Sequence, residues 1–204
     1  MIDPGCSGSK TNGLPEYSGI FQLINFMYLN QTLWSSMITA NGGEDLYSIA
    51  EKQPVLLVFL RFFGCSFCRE AIGDISRRRS YFEENGFRVV FVHMAENMET
   101  ADKFFRKYRL YPVDHIPDPE KNFYRAFGLG QTTTAQLLTF MNWMRGFQAA
   151  VIEGHGGNPV LNNPELGDGL QMPGVFVLHK GELKRSYIHR NAYDRPDYEE
   201  ICQL

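Results

Sequence analysis

Cysteine is scarce in this chain. Its 204 residues hold four, at Cys6, Cys65, Cys68 and Cys202, too few for a small scaffold stapled by disulfides. Positive charge is not in excess either. Twenty Lys and Arg stand against 23 Asp and Glu, a net of −3, which excludes a globally basic nucleic-acid binder. No uninterrupted apolar run approaches the roughly 18 residues of a membrane span, so no membrane partner is expected. Ile20 to Trp34 comes nearest, but Gln22, Asn25, Asn30 and Gln31 interrupt it, and the stretch reads as an amphipathic helix. The first ten residues carry no basic residue before Lys10 and no apolar block. A secretory leader is therefore not expected within this sequence, and the expected location is cytoplasmic. The histidines His93, His115, His155, His179 and His189 offer no HxxxH, and there is no second CxxC. A zinc centre is disfavoured on that spacing, and neither metal nor cofactor is expected.

Against these absences, 44% of the residues are apolar, with 16 Phe and 10 Tyr, enough for a sizeable core in one domain with an insertion. Residues 1 to 43 read as a Gly/Ser/Pro/Asn-rich leader followed by a helical extension. A domain over 44 to 204 follows, with an insertion at about 131–171. Val55 to Phe59 is a continuous apolar run, the pattern of a strand buried on both faces. After Gly64 a helix starts at Cys65, with Cys68, Ile72, Ile75, Arg79 and Phe82 on one stripe and one charge intruding at Arg79. Asn85-Gly86 stops it, and Phe87 to Val92 forms the next strand. Helices are expected at Glu44 to Lys52, at Asn97 to Tyr108, and through Phe123 and Phe127 to Gly128. Alternating strands and helices imply parallel pairing with right-handed crossovers. Thr134 to Ile152 reads as an inserted helix, and Glu153 to Gln171 as a long loop. Val175 to Leu178, the Lys180-Gly181 turn and Leu183 to Ile188 make a hairpin, and a last helix lies near Asp197 to Gln203.

The chemistry concentrates in Phe59-Leu60-Arg61-Phe62-Phe63-Gly64-Cys65-Ser66-Phe67-Cys68-Arg69-Glu70. A buried strand runs into a short loop, and CxxC opens a helix. With Cys65 as the cap, Cys68 is the third helical residue, and the two sulfurs can approach within bonding distance. Unpaired N–H groups at a helix start stabilise negative charge by about 0.3–1 kcal/mol, and by up to roughly 2 kcal/mol when partly buried, which at about 1.36 kcal/mol per unit could lower a thiol from about 8.5 towards roughly 7. Arg61 and Arg69 act in the same direction if they turn inward. Cys65 is expected to face solvent and Cys68 to be shielded by the apolar stripe. A pair of inert structural cysteines is the competing reading.

The run from Phe59 to Glu70 resembles the peroxiredoxin-like branch of the thioredoxin superfamily, which includes AhpC/TSA-type antioxidant proteins, the peroxiredoxin-like 2 (prostamide/prostaglandin F synthase) proteins and selenoprotein L. Gly167 to Leu178 looks like that family's stretch before its last strand pair. The resemblance, over about residues 44 to 200, implies a thioredoxin-like α/β fold: a central mixed sheet flanked by helices, here with the N-terminal extension and the inserted helix and loop. It also implies a cis Met172–Pro173 bond facing the CxxC. The family's Pro-x-x-x-Thr-x-x-Cys motif would place its reactive cysteine at Cys68, its threonine at Cys65 and its proline at Arg61. Its later arginine falls at Pro173. Two donors that polarise a peroxide are therefore missing, which favours dithiol over typical peroxidase chemistry.

On this reading the chain is a thiol–disulfide oxidoreductase or antioxidant enzyme, with Cys65, Cys68, Pro173, Arg61 and Arg69 as its site. Its expected partners are a peroxide or disulfide substrate and a thioredoxin- or glutathione-like dithiol reductant, with a homodimer as an option. The rival is a catalytically idle thioredoxin-fold binding module.

Overall fold

The computed structural model describes residues 31–133, 162–163, 166–190 and 194–204. The leader, most of the helix expected at 20–34, and the helix and most of the loop expected between 134 and 165 lie outside the described residues. In chain order the elements are α1 Leu46–Lys52, β1 Val55–Phe59, α2 Ser66–Arg77, α3 Arg79–Glu84, β2 Arg88–His93, α4 Met98–Lys107, β3 Asp114–Pro117, α5 Asn122–Ala126, β4 Asn162–Asn163, β5 Gly167–Asp168, β6 Gly174–His179, β7 Glu182–Ile188 and α6 Tyr198–Ile201.

All five residues of β1 are buried, as expected of a strand with no polar side chain, and it takes the centre of a five-stranded sheet ordered β3-β2-β1-β6-β7. It pairs parallel with β2, which pairs parallel with β3, and antiparallel with β6, which pairs antiparallel with β7. The sheet is therefore mixed, and helices cover it. Their starts follow from polar caps: Asp45 accepts from Ser48 N–H at 2.9 Å, Asn97 from Glu99 N–H at 2.8 Å and Asp197 from Glu199 N–H at 2.9 Å. Each cap satisfies an amide that has no partner within its own helix. Trp34 and Met37 are buried in the same core as β1, and an isolated bridge joins Ile38 to Asp45. Among the described residues no helix is long and apolar enough to cross a membrane.

Three features differ from the sequence reading; the first is that β4 and β5 pair antiparallel inside the stretch expected as a long loop. The helix expected to run from Cys65 through Phe82 breaks at Arg78, which has φ −97 and ψ 12. The break resolves the conflict at Arg79: the side chain leaves the apolar stripe for solvent and pairs with Glu83 at 2.7 Å, while Phe82 stays buried. Strand β3 was not expected, because Asp114-His115-Ile116-Pro117 lies between two prolines and carries polar side chains. Tertiary contacts make it a strand. Arg88 binds the Asp114 carboxylate at 2.6 Å and His115 is buried against β2.

Candidate active site

The carboxyl end of β1 delivers the chain to a loop, 60–65, that is buried throughout. Leu60 N–H bonds Val92 carbonyl at 2.9 Å, and the Leu60 carbonyl accepts the Tyr124 hydroxyl at 2.5 Å. Phe63 N–H reaches Leu166 carbonyl at 3.0 Å, and Cys65 N–H closes a turn on Phe62 carbonyl at 3.1 Å. Arg69, from α2, turns back so that Nε donates to Phe63 carbonyl at 2.7 Å, while its guanidinium lies 5.0 Å from the Phe104 ring centre. Five hydrogen bonds thus fix a segment that has no regular structure of its own.

Cys65 is the N-cap of α2, and Cys68 is its third residue. Both are free thiols. The Arg61 backbone N–H donates to Cys68 Sγ at 3.3 Å. Cys65 is held well below the ordinary thiol range, at about 6. The largest cause is the hydrogen bond from Cys68; burial opposes it, and the Arg61 charge and the amides of Cys68 and Phe67 support it. Cys68 moves the other way, well above the ordinary range, chiefly through burial and then through Cys65 itself. The two shifts run in opposite directions, favouring the charged form at Cys65 and the thiol at Cys68, a division of roles that enzymes use at nucleophilic cysteines.

The structure brings Arg61, Cys65, Cys68 and Arg69 into one buried cluster. Arg61 acts on the sulfurs through its charge and its amide, whereas Arg69 braces the loop through Phe63. Pro173 meets Cys68 across a small cavity, but two expectations need correction. The Met172–Pro173 bond is trans; among the described residues the cis bond is Tyr111–Pro112. Gln171 bridges to Gln131, and Met172 N–H binds Gly130 carbonyl at 3.0 Å. The chain therefore enters β6 already extended, and Pro173 is a strand-leading proline whose missing N–H costs nothing. Nor does Cys65 face solvent: it is 1% exposed against 5% for Cys68. The flanking Phe62, Phe63 and Phe67 are buried around it, so helix-cap position alone does not confer exposure. Cys202 is buried, and burial pushes its thiol up to about 12, the behaviour of an inert packed cysteine. Among the described residues no cluster of His, Cys, Asp or Glu is arranged to hold a metal ion. Sequence reasoning missed Tyr124, His189 and Tyr198, which reach the site region from more than 50 residues away. No local pattern marks them.

The chain has relatives. A family described as AhpC/TSA antioxidant enzyme matches residues 74–192, a stretch that starts after the cysteine pair. The prostamide/prostaglandin F synthase of Danio rerio is 25% identical over 161 residues, 78% of this chain and 77% of that protein. Its namesake from Salmo salar is 26% identical over 152 residues, 74% and 73% of the two chains. Among solved structures, the peroxiredoxin 6 of Arenicola marina superposes with a TM-score of 0.55 at 13% identity, covering 81% of this chain. This chain spans 65% of that structure. Peroxiredoxin Q of Xanthomonas campestris gives 0.51 at 14% identity, covering 77% of this chain and 83% of the other. At such identities the structures show a shared thioredoxin-type fold.

Proposed function

The chain belongs to the AhpC/TSA antioxidant enzyme family, and from that premise we propose that it is a thiol oxidoreductase working through Cys65 and Cys68. The observation that carries the reading is geometric: Cys65 caps α2, Cys68 is its third residue, and Arg61 N–H donates to Cys68 Sγ at 3.3 Å within the same buried cluster, an arrangement that favours the charged form at Cys65 and the thiol at Cys68. The Cys65 thiolate attacks one sulfur of a disulfide, forms a mixed disulfide and expels the other sulfur as a thiolate. Cys68 then loses its proton, attacks Cys65 Sγ and expels the second substrate thiolate, leaving a Cys65–Cys68 disulfide. With a peroxide, the first step gives a Cys65 sulfenic acid and an alcohol or water, and Cys68 displaces water in the second. A thioredoxin- or glutathione-like dithiol resets the pair. Arg61 favours the Cys65 thiolate by its charge, Arg69 holds the loop, and Pro173 bounds the space beside Cys68.

Mild oxidation should remove two hydrogens from the intact mass and block the Cys65–Cys68 pair reversibly. Both thiols surviving excess oxidant would sink the reading and leave an idle binding module. Cys68→Ser should accumulate a mixed disulfide at Cys65, whereas Cys65→Ser should not; the reverse pattern would transfer the attack to Cys68. This order now rests on charge, since exposure does not favour Cys65. Hydrogen peroxide should oxidise the pair more slowly than a small disulfide does, because Cys65 and Pro173 stand where peroxidases keep a threonine and an arginine. A second reading, favoured by the two named relatives, is that the same pair acts on a prostaglandin-type substrate. Turnover of such a compound by the reduced protein, lost in Cys65→Ser, would support it.

A further inference from the structure

The end of α4 gathers positive charge. Between Lys103 and Arg109 the chain carries Lys103, Arg106, Lys107 and Arg109 and no acidic residue, although its net charge is −3. All four are exposed. Lys103 meets Glu99 at 3.1 Å, but the two side chains are 70% and 72% exposed, so the pair neutralises little. Among the described residues Arg106, Lys107 and Arg109 have no carboxylate partner. Arg106 lies over the Tyr111 ring at 3.6 Å, and Lys107 Nζ lies 5.9 Å from the Tyr108 ring centre. The end of α2 adjoins them, with Ser76 Oγ donating to Tyr108 carbonyl at 2.6 Å. There the cations are paired, Arg77 and Arg78 with Asp74 and Arg79 with Glu83. Cations in a last turn answer the helix dipole, yet Lys103 lies a turn earlier and Arg109 lies past the helix. Arg109 also holds φ 59, which glycine or asparagine adopts more readily. A cation stands there against the preference of its backbone.

The same helix backs the cysteine loop. Its Phe104 stacks on Phe63 with ring centres 4.8 Å apart and planes 9° apart, and Arg69 covers the Phe104 ring at 5.0 Å. Lys107 is the i+3 neighbour of Phe104 and the i+4 neighbour of Lys103, so the three share one side of the helix. We propose that this basic face docks an acidic dithiol protein that reduces the Cys65–Cys68 disulfide. The inference rests on the dithiol reading above. Both cysteines are buried, so a reductant must be held against the loop while the loop yields, and a brief collision does not suffice. Complementary charge at the border of the loop steers and orients that encounter. One thiolate of the partner attacks Cys65 Sγ and expels Cys68 as a thiolate. The partner's second thiol gives its proton to Cys68, attacks the partner sulfur of the mixed disulfide and expels Cys65 as a thiolate. The partner leaves with an internal disulfide, and two electrons have passed to the pair. An anionic bilayer fits the face less well. Among the described residues the large exposed apolar side chains are Ile38, Leu183, Ile188 and Leu204, none of them in α4, so a membrane would meet charge without an apolar anchor.

The test follows reduction of the oxidised full-length protein by three reagents: uncharged dithiothreitol, glutathione, and a thioredoxin of net negative charge. The thioredoxin rate constant should fall at least about tenfold between about 20 mM and about 0.5 M salt, while the dithiothreitol rate stays level. The double variant Lys103→Glu/Lys107→Glu should lose at least about tenfold with thioredoxin at low salt and rejoin the unmodified protein at high salt. Its dithiothreitol rate should not change. Lys103→Arg/Lys107→Arg keeps the charge and should keep the thioredoxin rate. Arg185→Glu reverses a charge on β7, at the opposite edge of the sheet, and should also keep it. Equal thioredoxin rates in the Lys→Glu variant and the unmodified protein would overturn the docking face and leave the dithiol reading intact. So would an equal loss with glutathione, which would mark general attraction of anions, or a thioredoxin that fails where dithiothreitol succeeds. Binding to phosphatidylserine vesicles that disappears in the Lys→Glu variant, with its thioredoxin rate unchanged, would assign the face to a membrane instead. A pair that excess oxidant never converts to a disulfide would overturn both readings.

Discussion

Burying a thiolate is unfavourable, and Cys65 is almost entirely withdrawn from water. Its low value therefore means that local donors outweigh desolvation, and the largest of them is Cys68. This ordering makes a residue-level prediction. Cys68→Ala removes the principal donor and should move the pH midpoint of Cys65 alkylation by iodoacetamide upward from about 6. Arg61→Met keeps the side-chain bulk, removes only the charge, and should move it in the same direction by less. An unchanged midpoint in both variants would mean that the helix-start amides alone sustain the thiolate. Because the sulfur is buried, a bulky maleimide should also react far more slowly than iodoacetamide at one pH. Equal rates would show that the loop over Cys65 opens freely.

At the scale of elements, the site loop is held by structure distant in sequence. The buried Asp118 carboxylate accepts three amides at the start of α5, from Asn122 at 2.8 Å, Phe123 at 2.7 Å and Tyr124 at 3.1 Å. That start has no favourable cap of its own, since Lys121 precedes it at φ 58. The helix in turn aims Tyr124 at the Leu60 carbonyl. Asp118→Ala strands three amides and should cost about 2 kcal/mol, and Tyr124→Phe about 1 kcal/mol. The double variant should cost less than their sum, because both cut one tether. Urea titration measures all three, and full additivity would contradict the tether. Across the loop, Gly167 sits at φ 109, where an added Cβ would lie 3.1 Å from Phe62 Cβ and 3.2 Å from Met94 Cβ. Gly167→Ala should destabilise the fold by about 1–3 kcal/mol and alter Cys65 alkylation as well, since Phe62 belongs to the site loop.

The whole molecule should be labile to acid through its histidines. His93 Nε2 and His115 Nδ1 are 2.9 Å apart, and His115 Nε2 is 3.2 Å from Asp102. Burial is the first cause lowering all three of His93, to about 3, His115, and His189, to about 4. The unfolded chain takes up these protons near pH 6.5 while the folded chain refuses them. Their contribution is therefore complete above pH 6.5 and is lost as pH falls towards 4. Each fully discriminating histidine adds a slope of about 1.4 kcal/mol per pH unit. The urea midpoint should fall steeply between pH 6.5 and 4.5, a window above most carboxylate titrations. A flat midpoint across it would show that these rings are protonated in the native state.

The sequence by itself determined what depends on neighbours along the chain. Five apolar residues from Val55 must be buried on both faces, and CxxC directly after such a strand must open a helix. The alternation of strand and helix, and the hairpin around Lys180-Gly181, were equally local. Family membership was legible in the run around Cys65, although the matching family region begins at residue 74. Tertiary structure decided the rest. Asp114 to Pro117 is a strand because Arg88 and β2 receive it, and the helix ends at Arg78 because Arg79 has no polar partner in the core. Pro173 needs no reversal because Gln131 has already extended the chain before it. The surroundings of Cys68 were the least legible feature, since His189 and Tyr198 lie more than 120 residues away from it. Periodicity tells which face of an element is buried. It carries no information about which distant side chain packs against that face.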